Sequence, residues 1–288
     1  MRREPWDSND IENYREFQRD IVSVRRGVSD KLCLIGAGLH WSHLRGLSQL
    51  VSLRVSYAEV GGDPKVLTGL SSLRNLSLDY CDGLEDSTLD FLSSLKSLRT
   101  LSLCGSAFRG SLTPLTSLRW LEVLHLETLE GWHSEVCSLK PLRSMIRLRE
   151  LEINRYDSLT SLAGLEGTRA LKSLDVCATQ VNDISALEGL TSLEELNLSS
   201  TQVTNLEPLR NLVNLRELNL SNTHVTNLEP LRGLVNLHTI TLCETHVHDL
   251  TPLLGLPELE FVDVRCCKNL GREAKIDFEH KSDAELKG

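Results

Sequence analysis

Leucine recurs along the chain in the pattern Leu-x-x-Leu-x-Leu, and the recurrence keeps a fixed period. Copies starting at Leu171, Leu193, Leu215, Leu237 and Leu259 are each 22 residues apart. Looser copies start at Leu50, Leu73, Leu98, Leu121 and Leu148, separated by 23, 25, 23 and 27 residues. A degenerate copy lies near Ser29, in SDKLCLIGAGL. About eleven units therefore fill residues 29 to 270, a stacked-repeat pattern. The copying is closest late in the chain, where TNLEPLRNLVNL (204–215) returns as TNLEPLRGLVNL (226–237) with a single letter changed.

Within one unit the polar and apolar positions assign the elements. In the copy at Leu193 the residues Leu193, Leu196, Leu198, Val203, Leu206, Leu209 and Leu212 fall where side chains must point inward. ELNLS (195–199) alternates with period two, as a half-buried strand does. One 22-residue unit cannot bury seven such side chains alone, so each needs a neighbour on both sides. Pro208, Pro230 and Pro252 stand where an outer segment begins a short helical turn, a place that needs no N–H donor. Thr179, Thr201, Thr223 and Thr245 share an inward slot, from which a hydroxyl is expected to bond the turn backbone of the neighbouring unit. Cys81 and Cys267 fill the same slot.

Ahead of the repeats, Ile11, Tyr14, Phe17 and Ile21 recur at helical spacing, which predicts an amphipathic helix over residues 8–26. The expected organisation is one solenoid domain: an N-terminal helical cap over 1–28, the repeats over 29–270, and a polar C-terminal cap or tail over 271–288.

This period resembles the leucine-rich repeat in its 22-residue form with a Pro-Leu pair on the outer side, as in a protein phosphatase regulatory subunit and the bacterial internalins. The unit LRNLSLDYCDGLEDSTLDFL, from Leu73, resembles the cysteine-containing repeats of F-box proteins. The resemblance implies an α/β fold: a right-handed horseshoe solenoid with a concave parallel sheet of about eleven strands. Short helical turns or 3-10 segments would line its convex side.

A protein partner on the concave face is the function such a fold implies. Strand positions three, five and seven face that side. They nominate Arg54, Asn75, Asp79, His125, Glu127, Glu150, Glu152, Asp175, Glu195, Asn197, Glu217, Asn219, Thr239, Thr241, Phe261 and Asp263. Across the middle units, from Val123 to Ser221, these positions hold six carboxylates and neither Lys nor Arg, which suits a partner that is basic or polar at its contact surface. Tyr57 and Tyr80, together with Trp132 in the 127–140 insertion, are candidate aromatic anchors.

Composition narrows the classes further. A net charge of −9 argues against nucleic acid or an anionic membrane as partner. Aromatics are 5% of residues, so the core rests on aliphatic side chains. No apolar run approaches the roughly 18 residues of a membrane span. The eight Cys form no CxxC pair, the start MRREPWDSND lacks a secretory pattern, and Asn75, Asn197 and Asn219 carry acceptor motifs on strand faces ill suited to a glycan. The expectation is therefore an intracellular, monomeric protein.

Catalysis and metal binding fit the residues less well. Glu150 and Asp175 lie on neighbouring strands, yet nothing supplies a closed pocket or a nucleophile with its base. His224, His246 and His248 with Cys243 and Asp249 read as solvated surface, since Cys243 faces the sheet side while His246 lies in the turn beyond it. The expected function is a non-enzymatic scaffold or adaptor without cofactor or metal. Alternatives are a substrate receptor of a ubiquitin ligase, against which the 28 leading residues count, a phosphatase regulatory subunit, and a secreted adhesin or receptor.

Overall fold

The structure, a computed structural model, describes residues 8–84, 88–106, 111–129, 136–267 and 269–270. Trp132 and the expected C-terminal cap or tail over 271–288 lie outside the described residues. The chain forms two compact units, Met1–Val136 and Cys137–Gly288.

The first unit opens with helix α1 (Ser8–Arg25). Phe17, Ile21 and Val24 are buried, and the helix packs on strand β1 (Lys31–Ile35). Asn13 Nδ2 donates to the Ile35 carbonyl at 3.0 Å, and Gln49 Nε2 donates to the Val24 carbonyl at 2.6 Å, tying the helix to the repeats at two points. Ile11 departs from the expected apolar face, being 43% exposed. The buried face runs through Phe17, Ile21 and Val24 instead.

Strands β3 (Ser52–Ser56), β5 (Asn75–Asp79), β6 (Thr100–Ser102) and β7 (Val123–Glu127) follow β1 in parallel order. Two-residue strands β2 (Leu39–His40) and β4 (Val60–Gly61) form a small second ladder. The register stacks Leu on Leu: Leu53 pairs with Leu76, Leu76 with Leu101, and Leu101 with Leu124.

The second unit carries β8 (Glu150–Asn154), β9 (Ser173–Asp175), β10 (Glu195–Asn197), β11 (Glu217–Asn219), β12 (Thr239–Thr241) and β13 (Phe261–Asp263). Its inward row reads Leu151, Leu174, Leu196, Leu218, Ile240 and Val262 in register. All seven template positions of the Leu193 unit are buried to 2% exposure or less. With the five long-sheet strands of the first unit, the long-sheet strands among the described residues number eleven, as the repeat count predicts. Glu207–Leu209, Glu229–Leu231 and Thr251–Leu253 are single 3-10 turns, each with its proline as second residue. Three residues cannot continue as an α-helix when a strand must start a few residues later.

The inward hydroxyls behave differently from expectation. Thr179, Thr201, Thr223 and Thr245 each donate to the carbonyl three residues back in their own unit, at 2.8, 2.6, 2.6 and 2.7 Å. They close the turn that ends their strand. The cross-unit bond is made by the other occupants of the slot. Cys267 Sγ donates to the Leu242 carbonyl at 2.9 Å, Cys81 Sγ to Val55 at 3.4 Å, and Ser106 Oγ to Leu78 at 2.6 Å.

Candidate functional site

On the second unit the outward side chains form two columns along the sheet. Position three aligns Glu150, Ser173, Glu195, Glu217, Thr239 and Phe261; position five aligns Glu152, Asp175, Asn197, Asn219, Thr241 and Asp263. Between them lies an open trough of about 280 Å³, lined by Asp175, Glu195, Asn197, Glu217, Asn219 and Thr241 among others. The nominated residues of these strands are thus brought to one surface.

The two columns do different work. In the position-five column, side-chain oxygens of Asp175, Asn197, Asn219 and Asp263 accept from the backbone N–H two residues on, at 2.9 to 3.1 Å. Asn197 Nδ2 also donates to Asp175 Oδ2 at 2.9 Å, cross-linking neighbouring strands. Such Asx-type bonds satisfy N–H groups where the ladder ends, so this column is held in place along one side of the trough. Glu195 and Glu217 in position three are exposed. Ser173 Oγ donates to Glu195 Oε2 at 3.0 Å. The position-three column thus presents exposed carboxylates on this face.

Asp263 closes the far end. Its side chain is 6% exposed, against 83% for Arg265, whose Nη2 lies 2.6 Å from Oδ2. The guanidinium hydrogen bonds hold the carboxyl well below the ordinary carboxylate range. Arg265 was not legible as a member of this site, because the seventh position elsewhere in the unit holds Asn, Cys or Ser. Cys177, in the same column, has its thiol pushed up to about 12, by burial first and then by the Asp175 carboxylate.

The first unit has its own outward surface. Tyr57 and Tyr80 stack with ring centroids 4.9 Å apart and planes 3° from parallel. The Tyr80 hydroxyl donates to Glu127 Oε2 at 3.5 Å, and the Glu127 charge raises its pKa, with burial next in order. Asp79 Oδ1 accepts from Ser102 Oγ and from the Cys104 N–H, so this nominated carboxylate serves the strand ends. Arg54 and Asn75 are exposed, and His125 is half-buried.

Tyr57 and Tyr80 owe their orientation to a left-handed backbone, at φ 54° in both. The same step recurs at Arg155, Ala178, Ser200, Asn222, Glu244 and Cys266. That column carries no shared residue type, so nothing in the letters announced it.

His224 and His246 have ring centroids 5.8 Å apart. Among the described residues no group of three or more His, Cys, Asp or Glu is placed to hold a metal ion. Also among the described residues, no helix is long and apolar enough to cross a membrane.

A family model for leucine-rich repeats matches residues 169–211, 191–233 and 213–255. The solved structures most relevant to the fold include an internalin (InlF) of Listeria monocytogenes, 21% identical, covering 89% of this chain and 95% of its own, with TM-score 0.52. A leucine-rich-repeat protein of Leptospira interrogans covers 89% of each chain at 17% identity and TM-score 0.64. The ectodomain of the Arabidopsis thaliana receptor kinase GASSHO1/SCHENGEN3, solved with CASPARIAN STRIP INTEGRITY FACTOR 2, covers 84% of this chain and 35% of its own at 20% identity and TM-score 0.66. At these identities the likeness is one of fold. Repeat spacing, inward leucine rows and these matches together define a leucine-rich-repeat protein of the α/β solenoid class. Among curated proteins, the probable disease resistance protein RF9 of Arabidopsis thaliana is 33% identical over 152 residues; these make up 48% of this chain and 14% of that relative.

Proposed function

We propose that the second unit is a docking face for a basic segment of a partner protein, and that the chain acts by binding rather than by catalysis. The observation that supports this most directly is the trough itself. Glu195 and Glu217 line it and Glu150 continues their exposed row, its position-five side is fixed by strand-end hydrogen bonds, and neither Lys nor Arg occupies position three or five of β8–β13. Fixed carboxylates on a preformed surface orient a cationic segment and raise its association rate. Phe261, 54% exposed at the end of the same row, offers an apolar contact.

Openness favours recognition over chemistry: the trough does not enclose a small molecule or exclude water. The protein is proposed to work as a monomer in a reducing compartment; the compartment is supported by eight cysteines none of which forms a disulfide.

The test is capture of partners by the native chain against a Glu150→Lys, Glu195→Lys, Glu217→Lys variant, followed by titration of the recovered partner. The variant should lose affinity by about tenfold or more at low salt, and the loss should shrink as salt rises. Equal affinity and equal salt dependence for both proteins would remove this face from the reading.

A further inference from the structure

In each repeat, the residue just before the first leucine occupies a slot on the edge where strands begin. In late units that slot holds Asn214 and Asn236, whose Nδ2 atoms donate to the carbonyls of Thr191 and Val213 at 2.7 and 2.8 Å. In the first unit it holds Gln49, Ser72, Ser97 and then Trp120. Trp120 is 47% exposed, the largest side chain in a slot otherwise given to smaller or polar residues.

The indole is a wall shared by two adjoining depressions. One, about 180 Å³, is lined by Arg74, Lys96, Ser97, Arg99 and Trp120. The other, about 380 Å³, is lined by Lys96, Thr116, Ser117, Arg119 and Trp120. Four cations thus surround one tryptophan on a chain whose net charge is −9. Glu122 is the carboxylate nearest in sequence; its Oε1 holds Arg99 Nη1 at 2.9 Å, which orients the guanidinium and leaves most of its five donors for a ligand. The hydroxyl of Ser117 is committed to the carbonyls of Ser93 and Pro114, so the wall beside the indole is held in place by backbone bonds.

From this arrangement we infer a second docking site, on the strand-entry edge of the first unit, for a short acidic peptide segment carrying an apolar side chain. Carboxylates of the segment pair with Arg74, Arg99 and Lys96, and its apolar side chain packs on the Trp120 ring. Arg forks match carboxylates in plane, and an indole gives contact area at small entropic cost. A long polyanion fits less well, since the chain as a whole carries a net charge of −9. This site uses residues of opposite charge, on another unit, from the face proposed above, and does not rest on that reading.

The probe is a fluorescein-labelled ten-residue peptide of glutamates around a central leucine, titrated by fluorescence anisotropy against the full chain. Lys96→Glu with Arg119→Glu should raise Kd by about tenfold, and Trp120→Ala by about fivefold. Both variants change exposed side chains, and an unchanged melting curve shows that they fold. Arg74→Glu with Arg99→Glu should match the first variant, while Glu195→Lys with Glu217→Lys should leave Kd unchanged. Three results would overturn the proposal: full affinity in Trp120→Ala, equal binding of a lysine-for-glutamate peptide, or tighter binding of an oligothymidylate of equal length that ignores Trp120→Ala.

Discussion

Gly105 lies directly beneath the ring of Tyr80, at a φ of +61°, and a Cβ built there would fall well inside van der Waals contact of the ring carbons Cδ1 and Cε1. This glycine therefore sets the height of the Tyr57–Tyr80 stack. Gly105→Ala should displace Tyr80 and cost about 1–2 kcal/mol, the left-handed strain and the clash acting together. The check is the tyrosine signal in near-ultraviolet circular dichroism with the melting temperature. Tyr80→Ala in the same background should recover part of the loss; strict additivity would show that the two residues do not meet.

Thr201 supplies the simplest measure of the strand-end bonds. Thr201→Val keeps the shape but removes the donor to the Leu198 carbonyl, leaving a buried acceptor unsatisfied. The expected cost is about 1–2 kcal/mol by urea denaturation, with Thr201→Ser retaining most of the stability. A neutral valine would mean that another donor reaches that carbonyl.

Ala178 holds φ 54°. Ala178→Gly releases left-handed strain but loosens the unfolded chain, and the balance should stabilise by about 0.5 kcal/mol. A lowered urea midpoint would show that the methyl group packs more tightly than its half-buried position suggests.

Much of this architecture is legible in the letters, and the reasons differ by residue. The row Leu174, Leu196, Leu218 is readable because a parallel register copies a 22-residue spacing directly into space. Thr201 was readable as inward but not as to its partner, since hydroxyl reach depends on turn geometry that the spacing does not encode. The recurrence of Asp175, Asn197, Asn219 and Asp263 was visible, yet its Asx-type role emerges only when the N–H two residues on is seen to lack a ladder partner. Trp120 is not legible as an exposed ring, because it stands in an ordinary slot of the period whose letters do not distinguish a packed side chain from a projecting one.

Asp263 gives a pH prediction. Arg265 lowers its folded pKa below the unfolded value of about 3.9. The stabilisation is therefore complete above that value and disappears as pH falls toward the folded pKa. Arg265→Ala should be less stable than the parent at neutral pH, with the difference closing below about pH 4. A gap that stays constant down to pH 2 would assign the effect to packing.

Thiol reactivity should sort by burial. Cys33, Cys137 and Cys266 are exposed, whereas Cys81 and Cys177 have thiols pushed up to about 12 by burial. Iodoacetamide at mildly alkaline pH should label the first three quickly and leave Cys81 and Cys177 unmodified until denaturation, read by peptide mass spectrometry. Early labelling of Cys81 would mean that its unit opens on its own.

The pairing of Glu195 with Glu217 and of Asn197 with Asn219 makes adjoining units nearly interchangeable modules. Excising residues 205–226 would join Thr204 to Asn227, restoring the same local wording and leaving every remaining strand with a partner it can recognise. Length in this molecule is thus set by how many copies the gene holds, and a misaligned recombination between them would yield a shorter or longer protein that still folds, with a trough of altered reach.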